Sequence, residues 1–132
     1  MGSNSSVLMS LLIWYDENMK NYRLVFREVD HDKFNEIVSG QKTIETRAAT
    51  IKYKSVQAGD TLTFVCGKDI IIKHVIKVEH FNSLDEMFNK LPLASILPSA
   101  QDKNAAENIY FGFPGYKEKI EAEGILAFSL SS

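Results

Sequence analysis

The stretch Gly40-Gln41-Lys42-Thr43-Ile44-Glu45-Thr46-Arg47 joins two kinds of sequence. Before it, Phe34, Ile37 and Val38 fall at i, i+3 and i+4, one face of a helix. Asp30 and Asp32 are both suited to cap that helix at its start. Gly40 stands where a helix C-terminal glycine belongs. After it, Lys42 to Arg47 reads as a strand. The segment therefore holds one helix end and one strand, and it carries Lys42, Glu45 and Arg47. Mixed-sign charges on so short a piece look more like a small polar site than a solvated face.

Outward from this stretch the chain is mostly strand, with helices inserted. Tyr22 to Arg27 alternates weakly and suits a strand. Ala58-Gly59-Asp60 is a turn, and Thr61 to Cys66 alternates with Leu62, Phe64 and Cys66 on one side. Gly67-Lys68-Asp69 is hairpin chemistry, and Ile70 to Phe81 is a long β-branched run. Ser83 with Glu86 forms a capping box for a helix buried through Leu84, Met87, Phe88 and Leu91. Pro92 ends it, and Pro98 closes a second short apolar piece. Asp102 caps another helix, with Ala105, Ala106, Ile109 and Tyr110 inward. Phe111 to Gly115 reads as a loop and Tyr116 to Glu121 as one or two helical turns. Gly124 opens a final strand, Ile125 to Leu130. About five strands around a helical insertion predict an α+β fold and a small curved barrel rather than βαβ repeats.

The 132 residues suit one domain with one core. A composition of 45% hydrophobic and 24% charged residues predicts a globular chain rather than a disordered one. The net charge of -2 argues against a protein that coats duplex nucleic acid but leaves room for a small basic cleft. The single cysteine, Cys66, has no internal disulfide partner and fits a reducing, cytoplasmic or nuclear place. Val7 to Tyr15 is nearly all apolar but too short to span a bilayer and lacks the flanks of a secretory signal. No membrane partner is expected, and that segment reads as a core cover or a dimer contact. Residues 1–21 are expected to be an N-terminal extension, partly disordered, with the domain proper at 22–132. The expected state is a monomer or weak dimer.

Strict alternation puts Glu45 and Arg47 on one face of the strand and Lys42 on the other. The difficulty goes if Lys42 still belongs to the turn after Gly40. The structural alternative is surface ion pairing of Glu45 with Arg47 or Lys42, which stabilises by only about 0–1 kcal/mol. Spacing alone leaves both open.

The run Gly40-x-Lys42-x-x-Glu45-x-Arg47 behind a helix, followed by Gly59-Asp60 before a strand, resembles the signature of the ASCH domain (activating signal cointegrator homology). Val75 to Phe81 leading into the Ser83-capped helix, Ile109-Tyr110, and Gly124-Ile125-Leu126-Ala127-Phe128 fit as well. The resemblance covers roughly Tyr22 to Leu130. It implies a small PUA-like β-barrel of about five to six strands with flanking helices, and a cleft that takes RNA or a nucleobase. That cleft would be lined by Lys42, Glu45 and Arg47. Gly40, Thr43, Tyr110 and Tyr116 complete the candidate ligand-binding set. Some small ASCH proteins remove the acetyl group of 4-acetylcytidine with a lysine, a threonine and a later glutamate. Lys42 matches the lysine. Glu45 replaces the threonine, and Thr43 and Thr46 lie near but not at that position. Glu79, Glu86 and Glu107 are candidates for the later glutamate. The leading expectation is binding of RNA or a modified nucleoside. The alternative is a metal-free hydrolase of an acylated nucleoside or of RNA, with Lys42 and Glu45 catalytic. A protein-interaction module resting on the apolar N-terminal segment is a third.

The chemistry can be written either way. A lysine in a partly dry cleft beside Arg47 has its pKa lowered and can serve as base or nucleophile. Glu45 can then move a proton, and Arg47 can hold a phosphate or a developing oxyanion. Equally, a charged Lys42 paired to Glu45 can grip a phosphate. Among the aromatics, Tyr110 and Tyr116 either stack on a base or serve as core and loop anchors, whereas Phe111 and Phe113 read as core and loop-anchoring side chains. Lys52, Lys54, Lys68, Lys73 and Lys77 make a locally basic span that serves either a nucleic-acid backbone or strand-edge protection. His74 reads as half-buried, Cys66 as buried and inert. His31, His74 and His80 make no metal-ligand pattern, and no phosphate loop or dinucleotide fingerprint occurs, so no cofactor is expected.

Overall fold

A computed structural model describes residues 19–132. The apolar Val7–Tyr15 segment and the proposed dimer contact lie outside the described residues. Five strands form one sheet: β1 (Asn21–Phe26), β2 (Ile44–Ala48), β3 (Thr61–Cys66), β4 (Asp69–Phe81) and β5 (Ile125–Leu130). Their order is β1-β3-β4-β5-β2, with β1 parallel to β3 and every other pair antiparallel. The sheet curls into a half-barrel whose two edges are β1 and β2. Among the described residues six helices flank it: α1 (His31–Val38, after a 3-10 turn at Glu28–Asp30), α2 (Ile51–Lys54), α3 (Leu84–Lys90), α4 (Leu93–Ile96), α5 (Lys103–Gly112) and α6 (Tyr116–Glu123). The α+β, PUA-like expectation is met.

Two apolar clusters follow from strand parity. Leu126, Phe128 and Leu130 of β5 point inside the curl, onto Leu24, Leu62, Phe64 and the α1 residues Phe34 and Ile37. Ile125 and Ala127 point the other way, onto Met87, Phe88, Ala106, Tyr110 and Ile120 of the helical layer. Ser83 and Asp102 cap α3 and α5 by accepting from Glu86 N and Ala105 N. Asn21, assigned above to the extension, is already the first residue of β1, and Lys20 N donates to Asp60 Oδ1.

Three details differ from the sequence reading. The helix α2 carries no periodic signal in its four residues and was not expected. Helix α5 runs on through Phe111 and Gly112, so the loop is shorter. His74 is exposed rather than half-buried, and Ile72 and Ile76 on its face are 59% and 62% exposed. Three consecutive isoleucines hide the parity of β4. Pairing with Leu62 and Phe64 turns Lys73 and Ile71 inward instead.

Candidate functional site

Helix α1 ends at Ser39, and Gly40 turns the chain at φ +82. Lys42 N then donates to Glu36 O (2.9 Å), and Thr43 N donates to Ser95 O (3.0 Å) in α4. Both residues precede β2. Lys42 is thus outside the pleat, which removes the parity conflict. Glu45 stands opposite Phe128, and Arg47 opposite Leu126. Directly paired residues share a face, so Glu45 and Arg47 point inside the curl. Thr46, opposite Ala127, points to the helical layer.

Lys42, Glu45 and Arg47 line one cavity of about 520 Å³. It lies between the two sheet edges, where the barrel is left open. Val25 and Phe26 of β1 form one side, Glu45, Thr46 and Arg47 of β2 the other. Leu97, Ile109 and Tyr110 close it from the helical layer, and Phe113, Pro114 and Tyr116 stand at the α5–α6 turn. Arg27, Asp30, Lys33 and Glu36 bring charge from the end of β1 and from α1.

The polar interior is withdrawn from water. Lys42 is 8% exposed and Glu45 6%. Lys42 Nζ donates to Ile96 O and stands 3.9 Å from Glu45 Oε1. Glu45 Oε1 accepts from Thr46 N at 2.9 Å. Glu45 Oε2 and Arg47 Nε are buried with no hydrogen-bond partner among the described residues. Leaving a buried polar group unmatched costs about 1–3 kcal/mol, more when it is charged. Burial pulls the Lys42 ammonium below the ordinary lysine range, opposed by Glu45 and then Glu36. Burial works on Arg47 in the same sense, but Glu45 and then Tyr53, Tyr116 and Tyr110 outweigh it and hold its pKa up. The Arg47 guanidinium also lies 5.7 Å from the Tyr53 ring centre. Burial pushes the Tyr110 phenol up, and its hydroxyl is hydrogen-bonded to Thr46 Oγ1. Tyr116 OH accepts from Ala48 N at 3.3 Å.

Of the residues singled out from sequence, Lys42, Glu45, Arg47, Tyr110 and Tyr116 meet at this cavity, and Gly40 and Thr43 do not line it. Gly40 shapes the turn, and Thr43 is used through its backbone, accepting from Leu130 N and donating to Ser95 O. Glu79, Glu86 and Glu107 are likewise not in the lining. Glu79 pairs with Lys90 and Lys77, and Glu86 accepts from Asn82 N near the start of α3. Besides Glu45, the carboxylates that reach the cavity are Asp30, read from sequence only as a helix cap, and Glu36, which no sequence signal marks. Phe113 is not core: it is 47% exposed at the mouth, edge-on to Tyr116 with ring centres 5.5 Å apart, so only the loop-anchoring part of its reading stands. Tyr110 is the more buried of the tyrosines. The Lys52–Lys77 span makes no stripe: Lys73 is buried, and Lys54 and Lys77 pair with Glu123 and Glu79.

The half-barrel and the cleft between its edges define the class, and the comparisons agree. The ASCH domain family matches residues 28–131, so the chain belongs to the ASCH domain family. Among solved structures it is similar to the crystal structure of the hypothetical protein PH0355, at 22% identity and a TM-score of 0.73. That match covers 84% of this chain and 97% of that one. It is also similar to the solution NMR structure of protein PF0455 from Pyrococcus furiosus, at 24% identity and a TM-score of 0.67, covering 84% and 96%. These likenesses establish the shared fold. No curated protein matches the chain. Among the described residues no helix is long and apolar enough to cross a membrane.

Proposed function

We propose that the chain binds RNA or a modified nucleoside in the cleft between β1 and β2. The observation that carries this is the pair of unpartnered buried groups, Glu45 Oε2 and Arg47 Nε, on side chains that line a cavity with mostly apolar walls. A volume of about 520 Å³ is in the usual range for a small-ligand site. A flat ring fits between the apolar side chains, with Tyr116 and Phe113 at the mouth to stack on it. Lys42, Glu45 and Arg47 supply donors and an acceptor for its edge or for a phosphate. Fluorescence or calorimetric titration with nucleosides and short RNAs tests this. Saturable binding that Arg47→Ala weakens supports the cleft, and no binding by any of them removes it.

A second reading, metal-free hydrolysis of an acylated nucleoside or of RNA, rests on one observation. Burial lowers the Lys42 pKa, which raises the share of free amine able to act as base or nucleophile. Glu45, 3.9 Å away, is placed to exchange a proton with it. At the position of the threonine in the deacetylating relatives stands Glu45, and the hydroxyl of Thr46, which also lines the cavity, is hydrogen-bonded to Tyr110. Incubation with 4-acetylcytidine and short RNAs, followed by product analysis, separates the two readings. Turnover that Lys42→Met abolishes and a chelator leaves unchanged supports hydrolysis, and intact substrate in the presence of measured binding leaves a binder.

A further inference from the structure

Lys42 Nζ stands 3.9 Å from Glu45 Oε1, and Arg47 follows Glu45 two positions on, on the same face of β2. Lys42 enters from the turn before that strand. The cavity wall therefore offers donor, acceptor, donor in sequence. Each group has capacity left. Lys42 has three N–H bonds and uses one on Ile96 O, while Glu45 Oε2 and Arg47 Nε are unmatched. Among the residues lining the cavity, Arg27, Lys33, Lys42 and Arg47 stand against Asp30, Glu36 and Glu45, a surplus of one positive charge, far below what a long polyanion needs.

Resting on the nucleoside reading above, we infer that the cleft selects a ring whose edge runs acceptor, donor, acceptor: a cyclic imide of the uracil type. Its two carbonyls meet Lys42 and Arg47, and the N–H between them meets Glu45. Cytosine puts a bare ring nitrogen against the carboxylate and an amino group against a cation. Guanine keeps the central N–H but sets its amino group against a donor. Adenine has a bare nitrogen at the centre and no carbonyl. Each mismatch leaves desolvated groups unpaired, which is the strongest form of discrimination available to a polar site.

The test is isothermal titration of the full chain with uridine, 3-methyluridine and cytidine. Uridine should bind about 10-fold or more tightly than either, because each rival leaves a buried group unmatched. Glu45→Gln, checked for folding by circular dichroism, should shrink the preference of uridine over cytidine, since its amide can turn an N–H to the bare nitrogen. If that variant does not fold, the wild-type series decides alone. Cytidine or 3-methyluridine binding as tightly as uridine would overturn the inference while leaving the cleft in place. RNA binding without any nucleoside binding would do the same. Failure of every nucleoside and of RNA to bind would remove the proposed function and this inference together.

Discussion

The Lys42 ammonium stands 3.9 Å from the Glu45 carboxylate, and both side chains are more than nine-tenths withdrawn from water. The pair is assembled from two different pieces of backbone. Lys42 hangs on the turn that leaves α1, and Glu45 on the first half of β2. Burial of an ion pair is at best marginal for stability, because desolvation offsets the attraction. Its placement beside unmatched polar atoms in a cavity points to a role in the site.

The pH dependence of stability follows from the lowered Lys42 pKa. Between that lowered value and the ordinary lysine value of 10.5, the unfolded chain binds more protons at this residue than the folded one. Stability from Lys42 therefore rises with pH across that window and levels above it. Urea denaturation of wild type and Lys42→Met from neutral to alkaline pH should show the wild type gaining relative to the variant. Parallel curves would mean that Lys42 titrates normally in the folded state.

The hydroxyl pair Thr46–Tyr110 fastens β2 to α5. Tyr110→Phe leaves the buried Thr46 hydroxyl unmatched and should cost about 1–2 kcal/mol. Thr46→Val alone should cost a similar amount, and the double variant clearly less than the sum. Strict additivity in denaturant melts would show that the two hydroxyls do not interact.

Gly124 and Gly40 share positive φ but not surroundings. A Cβ on Gly124 would lie 2.4 Å from Phe81 O and 2.5 Å from His80 Nε2, whereas one on Gly40 meets nothing within 4 Å. Gly40→Ala should cost only backbone strain, about 1–2 kcal/mol. Gly124→Ala should cost clearly more, because backbone must shift. Equal melting temperatures for the two variants would contradict this.

Arg47→Ala should weaken nucleoside or RNA binding by about 10-fold or more, since a guanidinium in a dry site makes charge-assisted hydrogen bonds. Lys68→Ala, in the exposed β3–β4 hairpin, should change it by much less, because an exposed charge is screened. Equal losses at fixed salt would mean diffuse electrostatic binding.

Much of the architecture was legible because local chemistry repeats it. Gly40, Ser83, Asp102 and Gly124 mark element ends through requirements of their own backbone, and alternation in Thr61–Cys66 gave that strand to the residue. The inner half of the site was legible for the same reason: Lys42, Glu45 and Arg47 are close in sequence. The outer half was not. Val25, Phe26 and Arg27 come to face β2 across the cavity because β1 and β2 are the two sheet edges, and Lys33, Glu36 and Leu97 arrive with the packing of α1 and α4; periodicity carries no information on strand order or on that packing. Phe113 follows the last residue of α5 and lines the cavity beside Tyr116, while Tyr110, on the inward face of α5, is buried; which ring reaches the mouth depends on how α5 and α6 pack, which periodicity does not give.

The most direct measurement is a 15N-1H correlation NMR titration of the full chain with the tightest-binding nucleoside. Binding in the cleft predicts that backbone shifts concentrate at Val25–Arg27, Lys42–Arg47 and the Phe113–Tyr116 turn, while Lys68 and the outer β4 residues Ile72, His74 and Ile76 stay still. Shifts confined to that outer face or to the exposed lysines, with Lys42–Arg47 unmoved, would contradict it.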